Sequence, residues 1–231
     1  MPRLMIIFDL DGTLVDTAPD LVDALNVVFG REGLAPLPYE VARNLIGGGV
    51  KAMITNAMET KGRMLSQSRL EQMLIDFLAY YSDHIADRSR PFPGLVEALD
   101  VLEARGHQFA VCTNKLEHLS VRLLDHFKLT ARFGAICGQD SFGIQKPDPE
   151  IPRRTVLMAG GTMQHAIMVG DSITDIRTAR AAGVPIVAVD FGYSDRPIAE
   201  FGPDQTISDF AQLPASIAAI SSVLDRYGSN R

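Results

Sequence analysis

The sequence has no tryptophan, only two cysteines and no long hydrophobic run. Cys112 and Cys137 are too few for a disulfide framework and lack the spacing of a zinc site, so we expect two buried free thiols. The longest apolar stretches, Leu4–Phe8 and Val184–Phe191, are far shorter than the roughly 18 residues that a membrane span needs. These absences argue against a disulfide-bonded secreted scaffold and against a membrane protein.

Basic side chains are also few, with 22 Lys and Arg against 28 Asp and Glu and a formal net charge of −6. Nucleic-acid-binding proteins usually carry a basic excess or stripe, so this composition argues against such a partner. The first residues contain no signal-peptide pattern, and we expect a cytoplasmic protein. The length of 231 residues is enough for one large domain, or for a core with a smaller second unit.

Strand and helix patterns alternate along most of the chain. This alternation predicts an α/β fold, a doubly wound parallel sheet with helices on both faces. The predicted strands are the short apolar segments Leu4–Phe8, Gln108–Thr113, Phe133–Cys137, Ala166–Val169 and Pro185–Val189. The predicted helices of this part of the chain are residues 94–105, 116–127, 149–160, 172–182 and 208–225.

One segment breaks the alternation. Residues 17–88 contain four helical patterns and no strand pattern, and the longest of these helices has Leu70, Met73 and Phe77 on one face. We interpret this segment as a small four-helix domain inserted after the first strand. Residues 1–16 and 89–231 would then form the sheet domain.

Polar residues come directly after two of the strands, where the crevice of an open parallel sheet lies. The first strand is followed by Asp9-Leu10-Asp11-Gly12-Thr13, and the fourth by Gly170-Asp171-Ser172, with Asp175 one helical turn later. We expect the four carboxylates to converge on one small volume, where like charges cannot all stay ionised without a cation. Oxygen ligands with no nearby His or Cys predict Mg²⁺. An alternative for Asp175 is an ion pair with Arg177 or Arg180 within its own helix.

Groups that suit a phosphoryl ligand follow the other strands. Lys146 would neutralise phosphoryl oxygens, while Thr113 and the Asn114 amide would donate hydrogen bonds to them. Asp9, at the end of the first strand, is placed to attack phosphorus and form an aspartyl phosphate. Asp11 would protonate the leaving alcohol and then activate water.

The ordered motifs Asp-Leu-Asp-Gly-Thr, Thr-Asn, Lys-Pro and Gly-Asp-x-x-x-Asp resemble the four signatures of the haloacid dehalogenase superfamily. The resemblance covers nearly the whole chain and implies a Mg²⁺-dependent phosphatase, with residues 17–88 as its helical cap. It also implies that Asp9, Asp171 and the main-chain carbonyl of Asp11 hold the metal, and that Asp175 supports them without binding the ion. The dehalogenases of the superfamily lack the second carboxylate, so Asp11 points to phosphoryl transfer.

The predicted cap contains Gly47-Gly48-Gly49, a segment that resembles the cap loop of bacterial phosphoglycolate phosphatases. Consecutive glycines expose N–H groups that can bind an anion, so Gly48 and Gly49 are predicted to contact the carboxylate of 2-phosphoglycolate. Gly48 departs from the Asn common at this position, and the glycines would alternatively be a flexible connection between helices. The motifs also fit phosphatases of sugar phosphates, nucleotides or pyrophosphate, a phosphomutase of the β-phosphoglucomutase type, and a non-catalytic binding protein. The expected partner is a small phosphorylated metabolite, and a monomer and a homodimer both remain open.

Overall fold

The computed structural model describes residues 3–228. The strands are β1 (Met5–Phe8), β2 (Val15–Asp16), β3 (Arg90–Pro91), β4 (Gln108–Cys112), β5 (Phe133–Cys137), β6 (Ala166–Gly170), β7 (Ile186–Val189) and β8 (Gln205–Ile207). The helices are α1 (Ala18–Arg31), α2 (Tyr39–Arg43), α3 (Val50–Thr60), α4 (Gln67–Asp83), α5 (Leu95–Ala104), α6 (Glu117–His126), α7 (Glu150–Met158), α8 (Ile173–Ala182) and α9 (Leu213–Gly228). Within the described range, no helix is long and apolar enough to cross a membrane.

Six of the strands form one parallel sheet in the order β5-β4-β1-β6-β7-β8. The first strand of the chain is therefore an interior strand, with β4 on one side and β6 on the other. Its side chains alternate between two hydrophobic cores, because successive residues of a strand point to opposite faces. Ile6 and Phe8 face the core that includes α5, α6 and α9, whereas Met5 and Ile7 face the core that includes α7 and α8.

Helices α1 to α4 lie between β2 and β3, as the sequence pattern predicted, and α4 packs against both α1 and α3. The apolar face of α4 is buried through Leu70, Met73, Phe77 and Tyr81. Ser66 caps the start of this helix by accepting a hydrogen bond from the Arg69 N–H.

Three strands were not predicted. β2 and β3 have two residues each and pair antiparallel at the two ends of the helical segment, Val15 with Pro91 and Asp16 with Arg90. Two residues are too few to produce an alternating pattern. β8 lies at the edge of the sheet, and its exposed Gln205 and Thr206 give it no apolar run. Both cysteines are free and buried, as expected.

Candidate active site

The parallel register of β1, β4 and β6 brings the predicted residues to one edge of the sheet. Phe8 pairs with Val111 of β4 and with Val169 of β6, so the residues that follow these strands are neighbours. Asp9 and Asp171 lie in this position, and both are buried. The loops after these strands are therefore adjacent, and the carboxylates of Asp9 and Asp171 lie close together, as the strand pattern predicted.

Asp9 is paired with one cation and one backbone group. Its carboxylate lies 2.9 Å from Lys146 Nζ and accepts a 2.7 Å hydrogen bond from the Leu10 N–H. Burial raises the pKa of Asp9 to about 6, although Lys146 opposes the rise. Burial alone would lower the pKa of Lys146, but the Asp175 and Asp9 carboxylates outweigh it and raise that pKa above its usual value. Lys146 therefore keeps its positive charge beside Asp9.

Asp171 lies between two hydrogen-bond donors. It accepts a 2.9 Å bond from the Thr13 hydroxyl and a 2.8 Å bond from the Tyr193 N–H. Burial, followed by the nearby Asp175 and Asp9 carboxylates, raises the pKa of Asp171 to about 8. A carboxyl group with this pKa is largely protonated at neutral pH unless a cation stabilises its charged form.

Gly192 makes room for this carboxylate. A Cβ atom at Gly192 would lie 2.2 Å from the Asp171 Cβ and 2.4 Å from its Oδ2. For the phosphatase activity that the family resemblance implies, we expect Gly192→Ala to displace Asp171 and to lower kcat/KM about 100-fold, since a misplacement near 1 Å has an effect of this size. Phosphate release measured over a range of Mg²⁺ concentrations checks this, with Gly30→Ala as the control because a Cβ there meets nothing within 4 Å. Equal activity of the two variants would contradict the prediction.

Asp175 stabilises the start of α8 and also contacts Lys146. Its Oδ2 accepts from the Ser172 N–H (3.1 Å) and hydroxyl (2.6 Å), and the Ser172 hydroxyl in turn accepts from the Asp175 N–H, which completes a capping box. Its other oxygen lies 2.7 Å from Lys146 Nζ. The alternative ion pairs with Arg177 and Arg180 are not formed in the described part of the chain.

Three carboxylates form a group that a metal ion would fit. Oxygens of Asp9, Asp171 and Asp175 lie within 4.8 Å of one another, and all three residues are buried. With Lys146 the group carries a net charge of −2 when the carboxylates are ionised, which one divalent cation balances. Oxygen donors alone suit a hard cation such as Mg²⁺.

Asp11 does not join this group, so the prediction that four carboxylates converge is wrong for its side chain. Asp11 accepts a 2.7 Å hydrogen bond from the Thr17 hydroxyl and lies 3.1 Å from Lys115 Nζ. Both residues lie beyond the end of β1, and these contacts hold the Asp11 carboxylate away from the neighbours of Asp9. A metal contact through the backbone carbonyl of Asp11, which the family resemblance implies, stays a prediction.

The predicted phosphoryl-binding residues connect the loops of the site. Asn114 accepts a 2.8 Å hydrogen bond from the Lys146 N–H and donates a 3.2 Å bond to the Lys146 carbonyl. The Thr113 hydroxyl accepts from the Lys115 N–H, and no acceptor for its own proton lies among the residues that the structure describes, so that proton would be available to a ligand. Both side chains are buried beside the strand ends. Their roles toward a phosphoryl group stay predictions.

A cavity of about 510 Å³ opens onto Asp9 and Asp11. Its wall includes Gly47, Gly48 and Gly49, which precede α3. Gly49 has φ +83°, and a Cβ there would lie 3.3 Å from the Asn114 carbonyl. The glycines therefore allow the helical segment to approach the loop after β4 closely, and anion binding by Gly48 and Gly49 stays a prediction.

The sequence did not predict three residues that connect the helical segment to the sheet, namely Lys115, Tyr81 and Tyr193. Lys115 contacts both Asp11 and Tyr81. The Tyr193 hydroxyl accepts from the Thr17 N–H and donates to Asp16. Lys115 directly follows Thr113-Asn114, which was the available signal for its position in the site.

The comparisons with known proteins agree with this geometry. A family model for haloacid dehalogenase-like hydrolases matches residues 6–189. The chain belongs to this family. The haloacid dehalogenase-like fold class, a mostly parallel sheet with flanking helices, is thereby confirmed, as is the resemblance of the four motifs.

Members of the haloacid dehalogenase-like family with closely similar sequences are phosphoglycolate phosphatases. The protein of that name from Mesorhizobium japonicum is 46% identical over 218 residues, which cover 94% of this chain and 96% of the relative. One from Agrobacterium fabrum is 45% identical and covers 92% and 91%. The crystal structure of a predicted phosphoglycolate phosphatase from Haemophilus somnus is 29% identical, with a TM-score of 0.85 over 92% of this chain and 97% of that one.

Proposed function

We propose that this protein hydrolyses 2-phosphoglycolate to glycolate and phosphate with the help of Mg²⁺, through an aspartyl phosphate on Asp9. Its family and its similarity to phosphoglycolate phosphatases identify it as a phosphoric monoester hydrolase. The observation that carries the mechanism is the buried pair of Asp9 and Lys146 beside Asp171, at one end of a cavity large enough for a small ester.

In the first step an Asp9 oxygen attacks phosphorus, and the bond from phosphorus to the glycolate oxygen breaks. Lys146, 2.9 Å from Asp9, would neutralise phosphoryl oxygens, and Thr113 and Asn114 would donate hydrogen bonds to them. Asp9 and Asp171, with the Asp11 carbonyl, would hold Mg²⁺, and Asp175 would support them. When bound, the ion would stabilise the negative charge on the oxygens of the phosphoryl group that is transferred.

In the second step water attacks the phosphorus of the aspartyl phosphate and releases phosphate and free Asp9. Asp11 would give its proton to the leaving glycolate in the first step and take one from water in the second. Asp11 is suited to this role because its side chain faces the cavity and lies apart from the carboxylate group that includes Asp9.

The helical segment is proposed to be a cap domain, residues 17–88, over a core domain of residues 1–16 and 89–231. Two observations support this division. The cavity is lined both by α3 and α4 and by loops that follow β1 and β4. Arg43 of α2 also donates to the carbonyls of Phe191 and Gly192, on the far side of the site. A cap would exclude water during phosphoryl transfer and would choose the leaving group.

We expect phosphate release from 2-phosphoglycolate to have a kcat/KM about tenfold or more above those for sugar phosphates, nucleotides and pyrophosphate. Removal of Mg²⁺ by EDTA should lower the rate at least about 100-fold, and added Mg²⁺ should restore it, because the charge of the ion is worth several kcal/mol in the transition state. Preference for another ester would contradict the substrate. Phosphate transfer to a hexose phosphate without release would indicate the mutase instead.

A further inference from the structure

Lys115 is a buried cation beside Asp11 that the mechanism above does not use. Its Nζ lies 3.1 Å from the Asp11 carboxylate and donates a 2.7 Å hydrogen bond to the Tyr81 hydroxyl. The same ammonium lies 4.4 Å from the centre of the Tyr81 ring, within the range of a cation–π contact. Lys115 is only 6% exposed, and it lines the cavity.

This ammonium is shared between two residues. Among the described residues its three N–H groups meet three acceptor atoms: both Asp11 carboxylate oxygens, at 3.1 and 3.3 Å, and the Tyr81 hydroxyl, at 2.7 Å. Much of the surrounding wall is apolar, through residues of α3, α4 and α6 such as Met53, Leu78 and Leu119. A buried ammonium in such surroundings attracts an anionic ligand group, which would share it with Asp11.

Two cations of the helical segment, Arg43 and Lys51, are less well placed than Lys115 to bind an anionic group in the cavity. Arg43 is engaged by the carbonyls of Phe191 and Gly192 and by the face of Tyr193. Lys51 lines the cavity but is exposed, so water competes for its charge. Apart from Lys146, which is assigned to the phosphoryl group, Lys115 is therefore the cation best placed to meet the rest of a substrate in the cavity.

We propose that Lys115 binds the carboxylate of the substrate, with Tyr81 holding its ammonium, and so selects phosphate esters whose leaving group is anionic. This inference rests on the proposed function, because it takes Asp11 as the acid that meets the ester oxygen. An acid must lie within hydrogen-bond distance of that oxygen. In 2-phosphoglycolate the carboxyl carbon is two bonds from the ester oxygen, about 2.4 Å away. An ester oxygen on Asp11 thus brings the carboxylate within reach of Lys115 Nζ.

The test compares two esters that differ only at the proposed contact. These are 2-phosphoglycolate and 2-hydroxyethyl phosphate, in which a hydroxymethyl group replaces the carboxylate. For the Lys115→Met protein we expect the ratio of their kcat/KM values to fall roughly 10- to 100-fold, the usual effect of losing a hydrogen bond to a charged group. Lys61→Met, which removes a lysine that does not line the cavity, should change the ratio by less than about twofold.

The outcomes separate the two proposals. Wild-type protein without preference for 2-phosphoglycolate over 2-hydroxyethyl phosphate would contradict the proposed function. A preference that persists in Lys115→Met overturns the role of Lys115 alone, and so does an equal loss on both esters, which would mean that Lys115 only holds Asp11. A lower ratio of the two kcat/KM values in Lys51→Met, with an unchanged ratio in Lys115→Met, also overturns the role of Lys115. If Lys115→Met does not fold, Tyr81→Phe decides: we expect its ratio to fall roughly three- to tenfold, and an unchanged ratio overturns the proposal.

Discussion

Asp9→Asn is expected to lower kcat for 2-phosphoglycolate by roughly 10⁴-fold or more, as the loss of a catalytic nucleophile does in other hydrolases. An amide has no anionic oxygen to attack phosphorus, so no aspartyl phosphate can form. The fold should persist, because Asn can still accept the hydrogen bond from the Leu10 N–H and Lys146 keeps its contact with Asp175.

Phosphate release and thermal unfolding, measured on the same preparations, check this prediction. Asp125→Asn is the matched control, since Asp125 is exposed on α6 and does not line the cavity. We expect the control to keep wild-type turnover. A folded Asp9→Asn protein with substantial turnover would show that another residue attacks the substrate.

Asp171→Asn is expected to have opposite effects on activity and on the stability of the metal-free protein. Activity should fall at least about 100-fold, because one metal ligand loses its charge. Without metal, the midpoint of thermal unfolding near pH 8 should rise by several degrees, since the variant no longer buries a carboxylate beside two others. Asn can accept from the Tyr193 N–H and donate to the Thr13 hydroxyl, so both existing contacts can be kept.

The pH dependence of this stability difference follows from the pKa of Asp171. Its pKa is about 8 in the folded protein against an ordinary value of 3.8, so the folded state binds this proton more tightly than the unfolded state. The contribution of protonated Asp171 to the free energy of unfolding is fully present below about pH 4 and is lost as the pH rises through about 8. In EDTA the wild-type protein should therefore become less stable relative to Asp171→Asn between these limits. A stability difference between the two proteins that stays constant from about pH 4 to about pH 8 would contradict the raised pKa of Asp171.

Added Mg²⁺ provides a second measurement of the same site. It should raise the unfolding midpoint of the wild-type protein, because an ion that binds only the folded state stabilises it. The Asp171→Asn protein should respond much less at the same Mg²⁺ concentration. An equal response of both proteins would place the ion elsewhere.

The central strands of the sheet and the positions of Asp9 and Asp171 could be predicted because the local hydrophobic pattern agrees with the way the strands pair. A buried interior strand such as β1 needs a short apolar run, and the residue after it must lie at the sheet edge, so Asp9 could be placed from the sequence alone. The same holds for Asp171 after β6. The helices between β2 and β3 were predictable because α1 and α4 each bury one face.

Other features depend on contacts between segments far apart in the chain. Asp11 turns away from Asp9 because Thr17 and Lys115 bind it, and Lys115 lies 104 residues later. Tyr81 lies on the buried face of α4, and only the packing of α4 over the loop after β4 brings its hydroxyl to Lys115. Pairing of β8 likewise depends on its neighbour β7, since β8 has no pattern of its own.

The central claim is that Asp9 receives the phosphoryl group of 2-phosphoglycolate, and trapping the phosphorylated protein tests it most directly. Enzyme with Mg²⁺ would be mixed with phosphorus-labelled 2-phosphoglycolate, quenched in acid within one turnover and digested into peptides. We expect the label on the peptide that contains Asp9, in a form that hydroxylamine removes, and no label on Asp9→Asn. Label on a different residue, or turnover that never transfers label to the protein, would contradict the account.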